Sequence, residues 1–203
     1  MQRISLFEPQ EIVRALRNIL LRDIMKFSTY FNSTVAMVFL TALSGTAYSA
    51  QAEWVKPKQL IVDNSLPQAK LKANEAVARE YASFWNTGNE TLARNALAVN
   101  FIDKTPPGER KQGPEGAILA SRAFRTAVPD LRCDVEQMII SGDRVVSHLH
   151  FHGTFTGTFG KLKGKGQKID FIATDIYEIA DGKIVANWHI EDNLTLMKQV
   201  GAL

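Results

Sequence analysis

The sequence predicts an α+β domain over residues 66–203, in which three helices precede a meander of four long antiparallel strands. Three observations lead there. Between Pro67 and Pro129 the apolar residues recur with the period of a helix, and after Pro129 they alternate. The last two alternating runs are joined by Asp181-Gly182, a hairpin signal. Helices and strands segregated along the chain make an α+β fold, not an α/β one.

The first helix runs from about Pro67 to Thr87, with Val77, Tyr81, Phe84 and Trp85 at i, i+4, i+7 and i+8 on one face. Gly88 stops it at the position where a left-handed residue is needed. Asn89 caps a second helix through about Ala98, with Glu90 in its first turn. Phe101-Ile102-Asp103 reads as a short strand ending in the turn Pro106-Pro107-Gly108. Pro114 opens a third helix, carrying Ile118, Phe124 and Val128, and Pro129 ends it. Strands follow at about 131–140, 144–156, 169–180 and 183–192, with a Gly/Lys loop at 157–168 and a short terminal turn, Leu194–Val200, capped by Asn193. Long strands twist and curl, so helices on the concave side leave a cone-shaped cavity.

The chain has 203 residues, 45% of them hydrophobic, with 24 Lys+Arg against 21 Asp+Glu. A net charge of +3 is too small and too dispersed to argue for nucleic acid. The densest basic run (Lys161, Lys163, Lys165, Lys168) is threaded with glycines and reads as a solvated loop. A single cysteine, Cys133, excludes an intrachain disulfide and argues against a Cys-based zinc site. No nucleophile motif, phosphate loop or zinc signature is present, so neither metal nor cofactor is expected.

Ahead of the domain, residues 34–47 are nearly all apolar or small and uncharged, but too few to span a bilayer comfortably. Met25-Lys26 precedes them and Ala50-Gln51-Ala52 follows, the layout of a secretory signal peptide over 25–52. Cleavage is expected near Ala52, or after Ser49 as the weaker option. Residues 1–24 either precede the true start at Met25 or extend the n-region; uncleaved, the leader is a membrane anchor. Residues 53–65 read as a linker. Export without disulfides points to a bacterial periplasm.

Several phrases resemble one family in order and spacing. They are Tyr81-Ala-Ser-Phe84-Trp85-Asn86-Thr-Gly88-Asn89, Phe101-Ile102-Asp103, Gly113-Pro-Glu-Gly116 and Val128-Pro129-Asp130-Leu131-Arg132, then Ser141-Gly-Asp-Arg-Val-Val146, Gly153-Thr-Phe-Thr-Gly157, Asp175-Ile-Tyr177 and Trp188 to Leu194. The set is similar to the SnoaL-like polyketide cyclases, often labelled ester cyclases, of the NTF2-like superfamily. The resemblance implies an NTF2-like cone, a curved antiparallel sheet wrapped over three N-terminal helices. It also implies cofactor-free intramolecular aldol cyclisation, with one aspartate near the C-terminus as acid/base. By position after the tryptophan that aspartate is Asp192. Members of the family often dimerise through the sheet, so a homodimer is the implied assembly. The chain departs from the family pattern at Lys104 and at Phe155.

Residue by residue, Trp188, Ile190 and Asp192 share one face of their strand, and Asn187, His189 and Glu191 the other. With Trp188 toward the cavity, Asp192 faces it too. A carboxylate in an apolar pocket has its charged form destabilised, which suits proton transfer next to a carbonyl. The alternative is that Asp192 accepts backbone N–H bonds at the start of the last turn. His148, His150 and His152 also share a face. They read as pocket residues, a metal set or a packed row, with His150 the second polar group toward substrate. Asp175 and Tyr177 share a face with Phe171 and Ala173, where Asp175 either orients His150, binds substrate or pairs with an arginine. Tyr81 and Trp85 belong to the core with a ring toward the cavity, and Asp103 joins the substrate-binding set. The expected partner is a small molecule. An enzyme acting on an activated carbonyl compound, a binding module for a small apolar ligand, and an epoxide or ester hydrolase are the functional readings this leaves.

Overall fold

Pro67 opens the first helix, α1 (Gln68–Thr87), and Gly88 closes it at φ 75°, donating its N–H to Phe84 O. The computed structural model describes residues 54–106, 108 and 110–203; the leader expected at 1–52 lies outside the described residues. Asn89 caps α2 (Glu90–Ala96) by accepting from Thr91 N, and β2 (Leu97–Asp103) begins at once, earlier than expected. After Pro114 comes α3 (Pro114–Ala127), then β3 (Arg132–Ser141), β4 (Arg144–Phe155), β7 (Gln167–Ala180) and β8 (Lys183–Glu191). The last helix is α4 (Asn193–Val200).

Two expectations are corrected. Within the stretch read as a linker, Gln59–Val62 forms a strand, β1, that runs parallel to β3 with Gln59 opposite Gln137. It shows no alternation because it lies at a sheet edge with Leu60 and Ile61 both exposed. The Gly/Lys loop contains a small separate hairpin of β5 (Thr158–Phe159) and β6 (Leu162–Lys163).

The main sheet has the order β1-β3-β4-β7-β8-β2; the outer strands β1 and β2 pair parallel and the rest antiparallel. It is curved and does not close into a barrel. One face carries the core. Val145, Leu149, Phe151, Phe171, Ala173 and Tyr177 point inward and meet Val77, Tyr81 and Phe84 of α1 and Ile118 of α3. Tyr81 stacks on Phe84 and meets Tyr177 edge-on, ring centroids 5.7 Å apart. Arg125 of α3 donates to Trp85 O and Leu131 O, tying the end of α1 to the start of the meander.

The hairpin Asp181-Gly182 forms as expected. Both residues have positive φ, 50° and 70°, as a type I′ turn requires. Its ladder is not continuous, however. Ala180 pairs with Lys183 and Ile179 with Ile184, but Glu178 pairs with Ala186, so Val185 is an extra residue in a bulge. One inserted residue exchanges the two faces of everything beyond it. Asp175 therefore lies opposite His189 and not Trp188.

Gly157 shows how tightly the sheet end meets α3. Its N–H donates to Ala127 O, and a Cβ placed there would run into the carbonyl oxygen of Thr126. Gly157→Ala is expected to lower stability by about 1–3 kcal/mol through overpacking, measured as a reduced urea midpoint at unchanged m-value.

Candidate active site

Between the helices and the concave face of the sheet lies a cavity of about 430 Å³. Trp85 of α1, Phe101 of β2, Phe124 of α3, and Phe151 and Phe171 of the sheet make its walls apolar, and α4 adds Leu196 and Met197. Phe151 and Phe171, directly opposite each other on β4 and β7, stack with centroids 5.4 Å apart. One end is polar, formed by Asp103, Arg110, Asp175, Asn187, His189 and Glu191.

Asp175 anchors that end. It is 1% exposed, and three donors converge on its carboxylate: Tyr177 Oη at 2.8 Å, Asn187 Nδ2 at 2.7 Å and His189 Nδ1 at 2.8 Å. Burial, and then the charge of Asp175, pushes the Tyr177 phenol well up, so it stays a proton donor. The other ring nitrogen of His189, Nε2, meets Glu191 Oε2 at 3.0 Å. Burial alone would favour the neutral imidazole. Hydrogen bonds to Asp175 and Glu191, with their charges, outweigh that and push His189 up to about 10. Near neutral pH the site therefore holds an imidazolium in line between two carboxylates.

A second polar group faces it from β2. Asp103, 8% exposed, pairs with Arg110 at 3.3 Å and accepts from Thr105 N. Thr105 Oγ1 then bonds both backbone polar groups of His189 on β8, accepting from its N–H at 2.7 Å and donating to its carbonyl oxygen at 2.9 Å.

Of the residues singled out in the sequence, Tyr81, Trp85, Asp103 and Asp175 line this cavity, and Tyr177 sits behind Asp175 as its donor. The others lie elsewhere. Trp188 is on the outer face of the sheet, bracketed by Lys104 and Arg144, each 5.8 Å from its ring centroid. Asp192 caps α4 by accepting from Thr195 N at 3.0 Å, which holds its carboxyl below the ordinary value, and it is not among the cavity residues. Placing Trp188 and Asp192 toward the cavity is thus corrected, and the cause is the bulge at Val185. The histidine row is corrected too. His148, His150 and His152 alternate with inward-facing Leu149 and Phe151, so they lie on the outer face. There His148 bonds Thr174 and His150 bonds Asp170, which removes Asp175 as a partner for His150. Phe155, the second departure from the family pattern, is fully buried core. His189 and Glu191 were the residues missed. The alternation grouped them with Asn187 correctly but could not assign the group to a face.

The pattern of the SnoaL-like polyketide cyclases matches residues 75–200. The chain belongs to this family. A solved structure of a proposed polyketide cyclase from Bacillus cereus is 39% identical, covering 75% of this chain and 96% of that one, with a TM-score of 0.69. TsrD from Streptomyces laurentii is 25% identical over 68% of this chain and 99% of that one, with a TM-score of 0.60. AclR, a proposed hydroxylase from Streptomyces galilaeus, shares the fold at 20% identity, covering 65% of this chain and 83% of that one, with a TM-score of 0.59. No curated protein matches the chain at a significant level.

The charge state of His189 is directly measurable. Because its folded pKa is raised from 6.5 to about 10, the ring's contribution to stability is complete below about pH 6.5 and is lost as pH rises through about 10. Nitrogen NMR of the folded protein is expected to show His189 doubly protonated through neutrality, with Asp175→Asn bringing its midpoint down.

Proposed function

We propose that this protein catalyses cofactor-free acid/base chemistry on a small carbonyl compound of polyketide type, as an intramolecular aldol cyclisation or an isomerisation. The observation that carries this reading is the imidazolium of His189, held between Asp175 and Glu191 at the polar end of an aromatic-walled cavity. The acid/base role moves accordingly from Asp192 and His150 to His189 and Glu191.

The chemistry follows from the contacts. Asp175 fixes the ring and keeps the Nδ1 proton in place, so Nε2–H is the group that can turn to a ligand. A substrate carbonyl oxygen that displaces Glu191 from Nε2 accepts that hydrogen bond, and the released carboxylate lies beside the adjacent carbon. Glu191 takes the proton from that carbon while the imidazolium stabilises the enolate oxygen. In a cyclisation, the enolate carbon then bonds to a second carbonyl carbon of the same molecule. Nε2 delivers its proton to the new alkoxide, and Glu191 returns its proton to Nε2. Nothing is lost or oxidised, and the site ends as it began. The aromatic walls exclude water, which strengthens each of these interactions.

An exported, periplasmic setting is part of the proposal. It rests on the apolar segment 34–47 between Met25-Lys26 and Ala50-Gln51-Ala52. N-terminal sequencing of the periplasmic form is expected to start near Glu53; a chain retaining residues 25–52 in the membrane fraction overturns that part.

Enolisation can be followed without knowing the natural substrate, as exchange of α-hydrogens for deuterium in aryl methyl ketones by NMR. The protein is expected to accelerate exchange, Glu191→Gln to reduce the rate by about 10²–10⁴-fold, and His189→Gln by about 10²–10³-fold. Asp192→Asn is expected to leave exchange intact, since an asparagine oxygen can still accept from Thr195 N at the cap of α4. Ketones that bind in the cavity yet exchange no faster than in buffer would overturn catalysis in favour of a ligand-binding module.

A further inference from the structure

A second cluster of donor atoms lies on the outer face of the sheet, where the cavity chemistry does not reach. His150 on β4 is directly opposite Asp134 on β3. The ladder of β3 with β4 shifts between Val135 and Gln137, so Glu136 is a bulge residue beside that pair. Asp134, Glu136 and His150 each bring one donor atom to within 4.8 Å of the others. His152 adds a fourth, with Nε2 3.6 Å from Asp134 Oδ2 and its ring against that of His150, centroids 5.2 Å apart.

We propose that these side chains bind a divalent metal ion of the zinc or nickel type, through His150 Nδ1 with the Asp134 and Glu136 carboxylates, and His152 within reach as a fourth ligand. The histidine supplies the independent argument. Its Nε2 lies 2.8 Å from Asp170 Oδ1, so the Nε2 proton is donated there. Nδ1 faces Glu136 Oε1 at 3.6 Å, too far for a direct hydrogen bond. Donors bound at 2.0–2.1 Å to one tetrahedral ion sit about 3.4 Å apart, close to both 3.6 Å separations. A carboxylate on the far nitrogen of a ligating imidazole is also the usual outer-shell arrangement, fixing tautomer and ring orientation. Imidazole with carboxylate suits zinc and nickel better than calcium, which takes oxygen ligands.

Lys58 also reaches the cluster. Its Nζ lies 2.6 Å from Glu136 Oε1 and 3.6 Å from Asp134 Oδ2, so an ammonium balances the carboxylates. The side chain is 57% exposed on a flexible stem and can swing into solvent. Lys58 is therefore a built-in competitor, and a metal must displace it.

The proposal is independent of the cavity, and its test does not read activity. Isothermal titration of Zn²⁺ into tag-free, chelator-treated protein is expected to show one saturable site. Lys58→Met is expected to bind more tightly because the competitor is gone. Asp170→Asn is expected to weaken binding by about tenfold or more through the outer shell. His150→Ala and Asp134→Asn, checked for native circular dichroism, are each expected to abolish it. The proposal fails if neither the parent nor Lys58→Met binds saturably. It fails equally if folded His150→Ala or Asp134→Asn binds as the parent does, or if Lys58→Met gains nothing.

Discussion

The cavity depends on one buried carboxylate. Asp175 sits where an unpaired charge would cost several kcal/mol, and the surrounding sequence is arranged to satisfy it. Tyr177 reaches it from two residues along the same strand, and Asn187 and His189 from the neighbouring strand. Each donor occupies its place only because β7 and β8 are in one register. Remove Asp175 and the imidazole loses its orientation, the phenol its acceptor and the amide its anchor. The apolar walls supply shape, but this carboxylate supplies direction.

Most of the architecture was legible because its signals are local. Gly88, Asn89, Pro114 and Pro129 punctuate the helices within a residue or two of where they end or begin, and Asp181-Gly182 builds the turn that its dipeptide implies. The edge strand β1 was not legible, since an exposed four-residue strand has no buried face to impose alternation. Asp175 could be picked out from its place among Phe171, Ala173 and Tyr177. Its partner could not. From Asp181-Gly182 alone an unbroken ladder puts Asp175 opposite Trp188, and only the bulge at Val185 replaces the tryptophan with His189. A bulge leaves no mark on hydrophobic period beyond a one-residue phase slip. Family resemblance carried a role to Asp192, which here opens the last helix as its N-cap.

The same sheet divides two kinds of chemistry between its faces. Inward, polar groups are few and buried, and three of them converge on Asp175. Outward, histidines and carboxylates stand in rows with solvent beside them, and the Lys58 ammonium lies among the carboxylates. On both faces a bulge sets the decisive neighbour: Val185 brings His189 to Asp175, and Glu136 joins Asp134 beside His150. Insertions of one residue into regular strands have thus done what substitutions alone could not, by changing which side chains meet.

Thr105 has a mechanical role as well as a structural one. Its hydroxyl grips the backbone of His189 on both its N–H and its C=O, while its own N–H is held by Asp103, whose carboxylate also holds Arg110. The segment that borders the cavity after β2 is therefore geared to the strand that carries the imidazole. A guest molecule pushing Arg110 aside would tug, through Asp103 and Thr105, on the backbone of the residue whose ring faces the cavity.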